Sequence, residues 1–344
     1  MFKSRRQFIK YAIVLPIASF TVVSCASNNQ ANNSTKIDGS SQPVAETKTV
    51  ETGSQAITES IKIRIAYPSG MNGQVATTME KAEIAKKQGL SPEFVFFQYG
   101  PPMMEALAAG DVDAVITSLM PATNFLSKNP GKAQVVANLG SSSYSLMVPK
   151  DSAIRQSADL KGKKIAVSFG SDSHLDLLRL LKEMNLDAKT DVKLLNTKPD
   201  ELQLAFEQNF ADAIVIRQPQ VLKMQEKHSA RIVQTWPFRF IAIMRSDYLE
   251  KNPQAKEQFV TALQKSILFT ATNKEQASTW FAKKIRLDPA VIRDLSENDP
   301  NYKATKLEDV SVEVTPEVKT LLQDWSNFAL ESGMIKKQVD WGWK

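Results

Sequence analysis

The chain has 344 residues, 42% of them hydrophobic, with 43 Lys and Arg against 37 Asp and Glu and a formal net charge of +6. That length allows a folded body of two lobes, and the single cysteine excludes an intramolecular disulfide and a cysteine metal cluster. Four positive charges (Lys3, Arg5, Arg6, Lys10) fall in the first ten residues; removing them takes +6 to +2, with no basic stripe, which argues against a nucleic-acid partner.

Residues 1–24 combine that basic start with an apolar run over 11–23 and small residues before Cys25. The pattern is that of a secretory signal, too short and differently flanked for a transmembrane span. Ser4-Arg5-Arg6-Gln7-Phe8-Ile9-Lys10 resembles the twin-arginine export motif, and Val22-Val23-Ser24-Cys25 resembles a bacterial lipobox. Cys25 is then the lipidated first residue of the exported form. Residues 25–60 lack aromatics and are rich in Ser, Asn, Thr and Gln, the composition of a flexible tether.

From residue 61 strand and helix patterns alternate. Strands are expected at 61–67, 92–99, 112–118 and 133–140, with helices at 76–89, 101–110 and 121–131 between them. The rhythm returns with strands at 163–168, 191–196, 211–217 and 230–236 and helices at 173–185, 200–209 and 219–228. Helical patterns then cover 247–273, 275–297 and 316–331. This is an α/β class with largely parallel sheets.

The two series echo each other. Arg64-Ile65-Ala66-Tyr67-Pro68-Ser69-Gly70 lines up with Lys164-Ile165-Ala166-Val167-Ser168-Phe169-Gly170. Asp113-Ala114-Val115-Ile116 likewise lines up with Asp212-Ala213-Ile214-Val215. Ligands in open parallel sheets sit at the carboxyl ends of strands, where 167–174 (VSFGSDSH) would open a helix bearing Leu175, Leu178, Leu181 and Met184. Asp172 or Ser173 is placed to cap that helix, and capping alone explains these residues. The N–H groups of the same first turn also suit an anion.

FQYGPPMMEALAAGDVDAVITS (97–118), LMVPKDSAIRQSADLKGKKIAVSFGSDSHLDLLRLLKE (146–183) and DELQLAFEQNFADAIVIRQPQ (200–220) resemble the sulfonate, nitrate and taurine class of solute-binding proteins of ABC importers. The likeness runs from about 61 to 330. It implies a two-lobed periplasmic-binding-protein fold of type II-like plan, with mixed, mainly parallel sheets and two crossover strands near 145–150 and 239–245. Lobe one is then 61–147 plus 247–344, and lobe two 148–246. It also implies no cofactor, no catalysis, a monomer, and as partners a small solute, permease subunits with their ATPase, and the membrane through Cys25.

Carried over by position, ligand contacts fall at Ser69, Gly70, Met71, Tyr99, Gly100, Pro101, Thr117 and Ser118, then at Ser168, Gly170, Ser171, Asp172, Ser173, His174, Arg217 and Gln218. Ser141 to Tyr144 belong to the same set, and Tyr99, Trp236 and Phe238 offer walls for an organic tail or plain packing. His174, in a first helical turn, is expected to be exposed, and a total of two histidines argues against a metal site.

Two departures matter. Arg217-Gln218-Pro219 stands where many relatives carry an aromatic and an acidic residue before the proline, and Asp172 opposes an anion unless it caps its own helix. An anionic solute fits Arg217. A neutral or cationic heterocycle such as a thiamine precursor is the alternative. The same fold also serves biosynthetic enzymes for the thiamine pyrimidine and in the menaquinone pathway, although the cysteine-rich motif of the former is absent.

If Cys25 is lipidated, the exported protein partitions into detergent and exceeds its sequence mass by a diacylglyceryl group. A Cys25→Ala form that still fractionates with membranes counts against the anchor.

Overall fold

The structure, a computed structural model, describes residues 60–343; the signal segment, Cys25 and the tether up to residue 59 lie outside the described residues. A single eight-stranded sheet organises the chain, in the order β2-β1-β3-β8-β4-β7-β5-β6. At one side β1 (Ile61–Pro68) lies parallel between β2 (Leu90–Phe97) and β3 (Ala114–Ser118). At the other, β5 (Lys164–Val167) lies parallel between β6 (Lys193–Asn196) and β7 (Ala213–Arg217). Two long strands join these halves. β4 (Ala133–Val148) and β8 (Arg231–Arg245) pair antiparallel along their length. β8 carries β3 at its 240–244 end, while β4 carries β7 at 144–147.

Helices connect the parallel strands: α1 (Gly73–Lys81), α2 (Gly100–Ala109) and α3 (Leu119–Lys128) in the first half, then α4 (Asp172–Glu183), α5 (Leu202–Glu207) and α6 (Gln220–His228) in the second. The chain finishes with α7 (Ser246–Lys251), α8 (Ala255–Thr272), α9 (Lys274–Ile285), α10 (Pro289–Ser296) and α11 (Pro316–Glu331). The α/β class expected from the alternation is observed, but as one mixed sheet rather than largely parallel ones, because the pairings of β8 with β3 and of β4 with β7 and β8 are antiparallel.

Three local readings change. The strands expected at 133–140 and 230–236 run on to Val148 and Arg245. The serine run 141–143 and Pro237 hide the continuation, because each occupies a strand position without the apolar alternation that marks one. The helix expected over 76–89 stops at Lys81; Glu83 takes a left-handed φ of 55°, and Ile84 and Ala85 turn into the core. On α4, Leu175, Leu177, Leu180 and Leu181 are buried, whereas Met184 is exposed.

The internal echo has a physical basis. The Asp113 carboxylate accepts from the Arg64 backbone N–H at 2.9 Å and from its guanidinium at 2.7 and 3.0 Å. The Asp212 carboxylate accepts from the Lys164 backbone N–H at 2.7 Å. Both aspartates also donate their own N–H to the carbonyl of the same residue, at 2.9 and 2.8 Å. The registers match: Ile65 faces Ala114 as Ile165 faces Ala213. Each half therefore locks its first strand to its last with an aspartate just before that last strand.

The two locks differ in weight. Asp113 is buried and holds Arg64 as well as the backbone, while Asp212 is exposed and holds backbone alone. Hydrogen bonds to charged groups contribute about 1.5–3 kcal/mol when buried. Asp113→Asn should therefore lower unfolding stability in urea by about 2 kcal/mol, and Asp212→Asn by clearly less. Equal losses would contradict this ranking.

Candidate functional site

The carboxyl ends of β1, β3, β5 and β7 open onto one cleft between the halves of the sheet. It encloses a cavity of about 160 Å³, room for a small head group and a short tail. Of the residues singled out from the sequence, Ser69, Tyr99, Gly100, Pro101 and Ser118 line it from the first half. Ser168, Ser171, Asp172, Ser173 and Arg217 line it from the second.

The other six lie behind the wall. Gly70 sits beneath Arg217, where a Cβ would come 3.0 Å from Nη1. Met71 is core, and Thr117 is buried one residue before the strand end, so its side chain points to the opposite face from Ser118. Gln218 donates its backbone N–H to the Ser143 carbonyl at 2.9 Å. Gly170 and His174 line a separate hollow behind Phe169. His174 is half-buried rather than exposed: Phe169 stacks on its ring at 4.3 Å, and Nδ1 accepts from the Gly170 N–H at 3.4 Å. Burial pushes this imidazole down to about 4, so it is neutral at pH 7.

Arg217 ends β7 and points across the cleft. Its Nη2 donates to Ser69 Oγ at 3.2 Å and to the Gln98 carbonyl at 3.1 Å. Ser69 Oγ donates to the same carbonyl at 2.8 Å. Burial pushes the guanidinium down to about 10, against the pull of Asp172, and it remains charged at neutral pH. Among the described residues its hydrogen-bond partners are a hydroxyl and a carbonyl, with no carboxylate paired to it.

Asp172 does not cap its own helix. Ser171 does, its Oγ accepting from the His174 N–H at 3.3 Å while donating to the Ser168 carbonyl at 2.6 Å. The Asp172 carboxylate instead leaves α4 and enters the start of α3, accepting from Ser118 Oγ at 2.5 Å and from the Met120 N–H at 3.0 Å. Burial raises its pKa, and these two donors oppose the rise. The first turn of α3 is thus filled by a carboxylate of the protein itself.

Tyr144 and Phe238 form the floor, their rings 5.4 Å apart; Trp236 packs on Tyr144 from outside the cavity. The Tyr144 hydroxyl bonds the Asp176 carboxylate and the Asp172 carbonyl. Burial pushes Asp176 up to about 6, opposed by Tyr144 and Arg179. Gln98, Pro121 and Leu202 also line the cavity, and no sequence pattern points to them. Gln98 contributes a backbone carbonyl, which any residue carries, and the other two sit in ordinary helical runs. The lining offers one cation, several hydroxyls and apolar walls, with Asp172 engaged at the start of α3 and Asp200 also present; the cation and hydroxyls suit an oxyanion with a small organic tail.

With Asp176 at about 6 folded and near 3.9 unfolded, the folded state binds this proton more tightly. Its stabilising contribution is therefore full below pH 4 and is lost as pH rises through 6. Tyr144, Arg179, Asp172 and Glu183 are the polar groups that bear on it. Asp176→Asn should raise stability at pH 7.5 by up to about 2 kcal/mol, with the gain shrinking toward pH 4. A gain of the same size at both pH values would contradict this.

Residues 132–277 match the family described as NMT1/THI5 like. The chain is 27% identical over 288 residues to a candidate aliphatic sulfonates-binding protein of Escherichia coli (strain K12), covering 81% of this chain and 86% of that one. It is 25% identical over 208 residues to the taurine-binding periplasmic protein of the same strain, covering 58% and 64%. The solved alkanesulfonate-binding protein SsuA from Xanthomonas axonopodis pv. citri, bound to MOPS, superposes with a TM-score of 0.69 at 22% identity, covering 82% of this chain and 96% of that one. The resemblance read from the sequence is borne out: the chain is related to the NMT1/THI5-like proteins and has the α/β periplasmic-binding-protein fold of the sulfonate-binding proteins.

Proposed function

We propose that this protein is the extracytoplasmic solute-binding component of an ABC importer. It captures a small anion of the sulfonate, taurine or nitrate kind between two lobes, 61–147 with 247–344 and 148–246. One observation carries the reading of the ligand: Arg217, a half-buried cation without a carboxylate partner among the described residues, faces a small cavity edged by hydroxyls and floored by aromatic rings. A half-buried guanidinium is stabilised by a counter-charge, and two oxygens of an oxyanion can take two of its N–H groups at once. Lipidation at Cys25, export by the signal segment and action as a monomer beside permease subunits complete the proposal. Sulfonate- and taurine-binding names among the relatives support it.

Thermal-shift screening of taurine, ethanesulfonate, MOPS and nitrate identifies the ligand, since saturation at a hundred times the dissociation constant adds about 2.7 kcal/mol. By titration calorimetry with the best of these, Arg217→Ala should weaken binding by about 2–5 kcal/mol. Arg217→Lys should restore only part, because an ammonium lacks the planar fork. Binding by Arg217→Ala as tight as wild type would overturn the anion and make a neutral or cationic solute the better reading.

A further inference from the structure

Two polar bridges cross the cleft, and the internal repeat relates them. Ser69 follows β1 and Ser118 ends β3 in the first half; Asp172 follows β5 and Arg217 ends β7 in the second. Asp172 reaches Ser118 and Met120, while Arg217 reaches Ser69 and Gln98. In each bridge a turn after the first strand of one half meets the end of the last strand of the other.

Helix α4 adds to the first bridge along its whole length. Leu175, from the second half, is fully buried in an apolar cluster otherwise built by first-half elements, β8 and the C-terminal segment, with Leu119, Met120 and Trp325 among its members. One turn on, the Arg179 guanidinium lies 4.6 Å from the centre of the Phe328 ring and 5.7 Å from that of Trp325, both on α11. Lys182 forms an ion pair with Glu331 at the end of α11. A carboxylate, an apolar side chain and two cations of one helix thus all engage the opposite half.

We propose that α4 is a latch: its contacts with α3 and α11 hold the two halves together without any solute, so that the empty protein rests closed. Asp172 supplies at the start of α3 the negative charge that a solute could otherwise supply, which leaves Arg217 as the bridge a solute engages. Closure is then a property of the chain, and the solute acts on a population already biased toward it. This rests on the two-lobe reading above and not on the identity of the solute.

Two measurements on solute-free whole protein test the latch. Small-angle scattering should give a larger radius of gyration for the double variant Asp172→Asn, Arg179→Ala than for wild type, with unchanged far-UV circular dichroism. Equal radii overturn the proposal. Wild type alone provides the second measurement, independent of whether the variant folds. A closed-to-open ratio of about 100 gives the Met120 amide, bonded across the cleft, about 100-fold protection from hydrogen exchange. Exchange at the rate of an unpaired amide overturns the latch. Neither measurement uses a solute, so failure here is separate from failure of the anion reading.

Discussion

The antiparallel pairing of β4 with β8 is the constraint from which the rest of the molecule follows. Because these two strands run through the middle of the sheet, each half is a parallel set grafted onto one end of a common ladder. β3 attaches where β8 ends and β7 attaches toward the end of β4, so the carboxyl ends of both sets face the same gap. The ladder is interrupted by register shifts between Val135 and Ala137 and between Asn138 and Gly140. Gly140 adopts a φ of 107°, and the Asp299 carboxylate fills the space a side chain would take there, accepting from the Ser141 N–H. A buried acidic group from the C-terminal region thereby fixes the place where the strand passes from one half to the other.

The electrostatics of the cleft follow from that geometry. Two halves of one plan bring two helix starts and two strand ends together, four places where a charge is either welcome or left bare. The protein settles one with Asp172 at α3 and offers Arg217 at the end of β7. A single positive group among hydroxyls favours a compact oxyanion, and the Tyr144–Phe238 floor favours an apolar tail beside it. The buried acids Asp172, at the cavity wall, and Asp176, outside its lining, are held by Ser118, Met120 and Tyr144.

Much of this was legible beforehand, for identifiable reasons. Alternating apolar runs are long enough to read, and the Asp-Ala echo survives because Asp113 and Asp212 each satisfy the backbone of a first strand. Ser118 and Arg217 come from the contact positions that the family resemblance carries over. The role of Asp172 is not legible there, since a side chain that leaves its own helix to cap another has no local pattern; Ser171, the residue before the two expected to cap, does the capping instead. The full lengths of β4 and β8 were hidden for a related reason. Strand pairing is a long-range property, and the serines at 141–143 reveal nothing until the partner strand lies beside them.

Gly70 makes no bond to the cavity and does not line it, yet it governs the depth at which the positive charge is held. The guanidinium of Arg217 lies against the bare α-carbon, close enough that an added Cβ would crowd it at 3.0 Å and the Asn72 side-chain Oδ1 at 2.9 Å. The reach of an arginine is thus set by a missing methyl group on the far side of the cleft. Every substitution at residue 70 adds atoms, so from this position the charge can only be pushed away from its present seat.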